Sequence, residues 1–258
     1  MSGVRLSVII PTFNRVPILL QTLHKIFSPE IDFDREKMEV IVVNDGTQDI
    51  SFLLDLFAGC PLRVIKNRGR GAASARNTGA SHAQGEMLLF QDDDILPTEG
   101  YFQRHMSVCE KYPNSISVAN CLYPEELIAK VSHQPFGRYR LKYEYDWKKR
   151  LDLKGLEDGL YAIDSVASFS CIMHKSTYLD LGGYNESFPY AGCEDAEFAY
   201  RARKKGYTLI FDEKNICYHN EMDRFDLSSW LRRQATGIKT AVIMCKLHPE
   251  GMNHPTWY

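Results

Sequence analysis

Gly85-Glu-Met-Leu-Leu-Phe-Gln-Asp-Asp-Asp-Ile-Leu-Pro97 carries an apolar run straight into three adjacent carboxylates, Asp92, Asp93 and Asp94. Like charges this close repel, so the triplet calls for a cation to collect it. Oxygen ligands suit Mg²⁺ or Mn²⁺, which keep part of their hydration shell and share their other positions with substrate phosphates. Strand, triplet and turn proline together read as a metal–diphosphate site at the carboxyl end of a strand, where open α/β sheets bind ligands. The competing reading is an acidic turn that caps the following helix, a place where Asp is common.

Upstream of the triplet, strands and helices alternate. Leu6–Ile10, Glu39–Val43, Leu62–Ile65 and Met87–Phe90 read as buried strands, and Ile18–Ile26 and Gly69–Ala83 as helices between them. Pro97–Lys111 reads as a further helix. This alternation predicts an α/β fold with a Rossmann-like, mainly parallel central sheet flanked by helices. Downstream, strands are expected at Ile116–Ala119, Ser168–Met173 and Leu209–Phe211, and helices at Glu194–Lys205 and Leu227–Lys246. In the last helix Leu227, Leu231, Ile238, Val242 and Cys245 recur on one face, which is expected to pack on the core.

The totals exclude several classes. With 258 residues and 44% apolar content the chain can bury one large α/β core. A formal net charge of −2 makes no case for nucleic acid. There is no run of about 18 apolar residues, so no transmembrane helix is expected. The N-terminal apolar run is too short for a signal peptide and ends in Pro11. Seven scattered cysteines without a Cys-x-x-Cys pair suggest reduced thiols and a cytoplasmic protein.

Two acidic turns, Asp45 and Asp92–Asp94, follow strands that a parallel sheet would bring to one edge, beside Pro11-Thr-Phe-Asn-Arg15. A lone Asp after a strand usually bonds its own backbone. Two on one edge offer more. A nucleotide needs an acceptor for a base N–H, an acceptor for the ribose and cations on its phosphates, and this rim can supply all three.

Ser7-Val-Ile-Ile-Pro-Thr-Phe-Asn-Arg15, Val42-Val-Asn-Asp-Gly-Thr47, Asn67-x-Gly-x-Gly71, Ala75-Arg-Asn-x-Gly79 and Asp92-Asp-Asp94 resemble family 2 glycosyltransferases, which have the GT-A fold. Leu181-Gly-Gly-Tyr-Asn-Glu186, Ala191-Gly-Cys-Glu-Asp195, Phe198, Arg201 and Gly206 resemble the acceptor half of the same family and related galactosyltransferase C-terminal regions. The likeness fades at 121–165 and after about 222. It implies one GT-A domain: a nucleotide-sugar half at 1–115, an acceptor and catalytic half at 116–222 with a smaller mixed sheet, and a C-terminal helix and tail at 223–258.

The resemblance also implies roles. The backbone of Pro11, Thr12, Phe13, Asn14 and Arg15 lines the nucleotide, and Asp45 accepts from the base. Arg76 lies near the phosphates or base, and Asp92 or Asp93 near the ribose. Asp94 and His219 hold the metal, Mn²⁺ or Mg²⁺. Asp195 is the base of inverting members, and Glu194 helps hold the acceptor. Inverting transfer needs one carboxylate to take the acceptor proton and positive charge on the departing diphosphate, so these residue types suit the reaction. Glu194 and Asp195 also suit a plain helix N-terminus, and His219 a structural hydrogen bond.

The expected donor is a UDP-sugar, with dTDP fitting the same pyrimidine logic. The acceptor is open: a saccharide, a lipid-linked carrier, a peptide or a small molecule. Gly137–Arg150 is basic and aromatic. Such a stretch is compatible with peripheral membrane contact, although more often it is a solvated helix with its rings packed inward. Arg232 and Arg233 could reach the diphosphate from the last helix or snorkel at the surface. Other readings are an NAD-binding oxidoreductase, a nucleotidyltransferase and an inactive GT-A binding module. Gly69-Arg-Gly71 lacks the third glycine of a dinucleotide fingerprint.

Overall fold

Residues 6–12 are apolar on both sides because the strand they form is covered on both faces. The computed structural model describes residues 3–32, 34–149 and 152–251. Strands β1 (Leu6–Thr12), β2 (Met38–Asn44), β3 (Leu62–Lys66) and β4 (Met87–Gln91) are parallel, in the spatial order β3-β2-β1-β4. Helix α1 (Val16–Ile26) follows β1, the single turn α2 (Leu53–Leu56) precedes β3, and α3 (Ala72–His82) links β3 to β4. Leu6, Val8 and Ile10 join Leu19, Leu23 and Ile26 of α1 in one core layer. Ile9, Ile41 and Val43 join Ala73, Ala75 and Ala80 of α3 in the other.

Small residues let α3 lie close to the sheet. A Cβ added to Gly79 would stand 2.3 Å from Ile9 Cγ2 and 3.1 Å from Val43 Cγ2. Gly79→Ala gains helix propensity but overpacks this contact, for a net destabilisation of about 1–2 kcal/mol. Thermal denaturation checks this: an unchanged or raised Tm would mean that α3 can slide outward freely.

The second half contains β5 (Ile95–Pro97), α4 (Tyr101–Lys111), β6 (Ser115–Leu122), α5 (Glu125–Val131), α6 (Pro135–Lys149), β7 (Lys154–Gly155), β8 (Leu160–Ile163), β9 (Ser170–His174), α7 (Lys175–Asp180), α8 (Glu194–Lys204), β10 (Thr208–His219) and α9 (Leu227–Leu247). Strand β9 runs antiparallel to both β4 and β6, and β10 runs parallel to β6. The result is one ten-stranded sheet in the order β3-β2-β1-β4-β9-β6-β10-β8-β7, with β5 paired to β10 off that path. The strands after β4 are mixed, as expected. They extend the central sheet instead of forming a smaller one, because β9 satisfies an edge on each side.

Two boundaries differ in a way that matters. The helix expected from Pro97 begins at Tyr101, since Ile95–Pro97 pair with Cys217–His219. The strand expected over Leu209–Phe211 runs on to His219, past a register shift between Asp212 and Ile216.

Helix α9 corrects a third expectation. Leu227, Leu231, Ile238 and Val242 are 50%, 51%, 67% and 50% exposed. Thr240 and Met244 are its buried residues. Small side chains decide which face turns inward, for a Cβ on Gly192 would lie 2.2 Å from Thr240 Oγ1. Arg150 and the tail from 252 onward lie outside the described residues. No helix among the described residues is long and apolar enough to cross a membrane. All seven cysteines are free thiols.

Candidate active site

The triplet lies where β4 meets the β5–β10 ribbon, and its three carboxylates face different partners. Asp92 Oδ1 accepts from Arg76 at 3.0 Å. Asp93 accepts from Thr12 Oγ1 at 2.7 Å and pairs with Arg15. Asp94 is fully buried and accepts from Arg15 at 3.0 Å and from Arg224 at 2.5 Å, both on Oδ2. Its Oδ1 faces His219 Nε2 at 3.3 Å. The β5–β10 register, with His219 opposite Ile95, creates this last approach.

Electrostatics separate the buried pair. Burial, then the neighbouring Asp94 charge, push the Asp93 carboxyl up to about 7 against the pull of Arg15 and Thr12. Burial acts upward on Asp94 too, but His219, Arg224 and Arg15 outweigh it and hold that carboxyl well below the usual range. Burial disfavours the His219 cation, yet Asp94 raises its pKa to about 10.

A cleft of about 430 Å³ opens beside the triplet. Pro11, Thr12, Phe13, Arg15, Asp45, Arg76, Asp92 and Asp93 line it, joined by Arg70, Arg224 and the segment Pro189–Ala191. Four arginines in the lining favour an anion, and the N-terminus of α3 adds backbone N–H groups. Gly71, with φ +89°, opens α3 where a Cβ would meet the Pro189 carbonyl oxygen at 3.0 Å. Its N–H donates to Asp45 Oδ2 at 3.0 Å, while Asn67 Nδ2 donates to Asp45 Oδ1 at 2.7 Å. Phe13 is 57% exposed, a bare ring at the cleft.

Glu194 and Asp195 open α8. Glu194 is buried, accepts from Arg76 at 2.9 Å and from the Gly192 N–H at 2.6 Å. Arg76 therefore bridges Asp92 and Glu194, with its guanidinium 5.4 Å from the Tyr184 ring centre. Asp195 accepts from the Ala196 N–H at 2.8 Å. Burial, with Glu194 alongside, raises its carboxyl to about 7, and Arg76 opposes the shift.

Not every expected residue reaches the cleft wall. Asn14 sits at φ +54° and accepts from the Thr47 and Gln48 N–H groups, tying one rim loop to the next. Asp94, His219, Glu194 and Asp195 stand outside the lining. Arg232 donates to Ser229 and Arg233 pairs with Glu221 at 2.9 Å, so neither lines the cleft. From the C-terminal segment it is Arg224 that lines the cleft, beside Arg15, Arg70 and Arg76, and sequence reading missed it. Its only signal was the charge run Glu221-Met-Asp-Arg224 just after His219.

The residues fit a divalent cation in part. Asp94 Oδ1 and His219 Nε2 are buried, face one another at 3.3 Å and have no further hydrogen-bond partner. Two neighbouring ligands on an octahedral cation lie about 3.0 Å apart, close to the separation found here. Among the described residues no cluster of three or more acidic, His or Cys groups could hold a metal. The protein would thus contribute two ligands and leave the other positions to water and diphosphate oxygens.

The sheet, the triplet and the cleft define a GT-A glycosyltransferase architecture. A solved GalNAc-T7 with UDP, GalNAc and Mn²⁺ superposes with a TM-score of 0.64 at 16% identity, over 84% of this chain and 44% of that one. The mannosyltransferase PcManGT from Pyrobaculum calidifontis, with GDP-Man and Mn²⁺, gives 0.61 at 20% identity, over 92% and 64%. Residues 7–175 match the family described as Glycosyl transferase family 2, and the chain belongs to that family. It is 26% identical over 220 residues to the pre-mycofactocin glycosyltransferase of Mycobacterium tuberculosis, covering 83% of this chain and 43% of that protein. The chain thus spans less than half the length of that relative. Family membership sets aside the oxidoreductase and nucleotidyltransferase readings.

Proposed function

We propose that the chain moves a sugar from a nucleoside-diphosphate donor to an acceptor hydroxyl, with inversion at the anomeric carbon. What carries the reading is the meeting of the Asp94–His219 pair with a cleft lined by Arg15, Arg70, Arg76 and Arg224. The nucleotide lies along Pro11–Phe13. Asp45 keeps lone pairs free for a base N–H after accepting from Asn67 and Gly71, which suits the N3–H of a pyrimidine such as uracil. The neighbours solved with UDP or GDP-Man and Mn²⁺ support a metal-dependent donor of this class.

In the reaction the acceptor oxygen attacks the anomeric carbon as the bond to the diphosphate oxygen breaks. Asp195 takes the hydroxyl proton, and a pKa of about 7 poises it for that task near neutrality. Glu194 is held by Arg76 and Gly192, and it places the acid end of α8 against the donor side. When bound, Mn²⁺ or Mg²⁺ at Asp94 and His219 acts as a Lewis acid for the leaving diphosphate. Arg15 and Arg224 now neutralise Asp94 and are within reach to pair with phosphates instead. Residues 1–115 serve the donor and 116–222 the acceptor, and the 223–258 segment adds Arg224 to the donor side.

Calorimetric titration with UDP, dTDP, GDP and NAD⁺, each with and without Mn²⁺, tests this. UDP should bind most tightly and only with Mn²⁺. Metal-independent NAD⁺ binding, or no nucleotide binding at all, would sink the reading.

A further inference from the structure

The outer face of α9 has no covering element among the described residues. Leu227, Leu231, Ile238 and Val242 form one exposed stripe, since their spacing of four, seven and four residues returns to the same side of a 3.6-residue helix. Arg232, Lys239 and Lys246 follow at exact intervals of seven, which sets them in a single row along one flank of that stripe. All three are exposed, and among the described residues none pairs with an acid. The helix contains no Asp or Glu from Leu227 to Leu247.

The patch continues onto α6. Phe136 and Tyr139 pack their rings on Trp230 at 6.0 and 5.7 Å, and Tyr139 and Tyr143 remain 49% and 36% exposed. Three residues before Leu227, Arg224 stands on the cleft wall. The face therefore adjoins the donor cleft.

We propose that this face docks on an anionic bilayer surface. An apolar stripe flanked by a row of cations is what an interfacial helix needs: the stripe enters the headgroup boundary while Lys and Arg meet lipid phosphates. A second copy fits less well. Packing two such helices together would bring cationic rows near one another with no acid on either helix to compensate. The basic stretch of α6 suggested membrane contact from sequence, but α9 supplies the apolar stripe and α6 contributes tyrosines at its side. The inference does not depend on donor or acceptor, and its readout needs no turnover.

The test is co-sedimentation with vesicles of phosphatidylglycerol and phosphatidylcholine in equal parts, against phosphatidylcholine alone. The protein should bind the first, less so at high salt, and leave the second in solution. Replacing Arg232, Lys239 and Lys246 together by Ser should weaken binding on the order of a hundredfold. Ile238→Asp should also weaken it, with melting temperature and nucleotide binding unchanged because the side chain is solvent-facing. Absence of binding to the anionic vesicles overturns the proposal, as does equal binding by the triple-serine variant. So does a dimer in light scattering that Ile238→Asp dissociates while no vesicles are bound.

Discussion

Asp195→Asn lowers kcat on the order of 10²–10⁴-fold while the fold holds, because one carboxylate is assigned to take the acceptor proton. Asn keeps the shape and can still accept from the Ala196 N–H, so the change removes only the base. The pH behaviour separates this from simple damage. Folding raises the Asp195 pKa from 3.8 to about 7. The unfolded chain releases this proton first. The stability contribution of Asp195 is therefore complete below its ordinary pKa, falls as pH rises and is gone above about 7.

Asp195→Asn should accordingly melt at or above the wild-type temperature at pH 8, with a smaller difference at pH 5. Wild-type turnover should rise through a pKa near 7. A variant that keeps near-full transfer, or that loses activity only in step with its melting temperature, would remove Asp195 from the role of base.

Asp94→Asn is expected to have the larger structural effect. Asp94 is fully buried and faces Arg15, Arg224 and His219. Removing its charge leaves three groups competing for compensation that is no longer there. Breaking a buried pair typically costs about 3–5 kcal/mol, or roughly 6–20 °C in Tm for a chain of this size. Mn²⁺-dependent UDP affinity should fall by more than about a hundredfold, beyond the loss seen when only an outer-shell partner of a ligand is removed.

His219→Ala resolves whether that loss is structural. It takes away the second candidate ligand but leaves Asp94 with both arginines. It should weaken Mn²⁺ while lowering Tm less than Asp94→Asn does, because the two arginines still compensate the buried carboxylate. An unchanged apparent Mn²⁺ affinity would exclude His219 from the metal site.

Three of the motifs that the sequence made legible lie at the ends of parallel strands. Pro11–Arg15, Asp45 and Asp92–Asp94 follow β1, β2 and β4, and a parallel sheet brings such ends to one edge whatever the loops do. Glu194 and Asp195 were legible for a similar local reason, since acids at the start of a helix stand out. The backbone of Pro11–Arg15 was expected along the nucleotide, and the Asn14 side chain ties two rim loops together. Backbone at φ +54° explains why an Asn stands there, and sequence does not distinguish a residue that lines a site from one that shapes its rim.

The sequence by itself determined the family, the alternation of strands and helices and the acidic end of β4. These rest on local patterning and on motifs of fixed spacing. Tertiary structure alone decided three things. It joined the later strands to the central sheet through β9, and it set His219 on Asp94 through the antiparallel pairing of Ile95–Pro97 with Cys217–His219. It also turned Thr240 and Met244 of α9 inward and left the Leu227–Val242 stripe in solvent. Periodicity tells which residues share a helix face, and strand patterning tells which residues alternate. Neither names the surface that a face will meet or the strand that another will pair with more than a hundred residues away. Those choices are made by close approach, such as Gly192 against Thr240, and by hydrogen-bonding edges that must be satisfied once the core has formed.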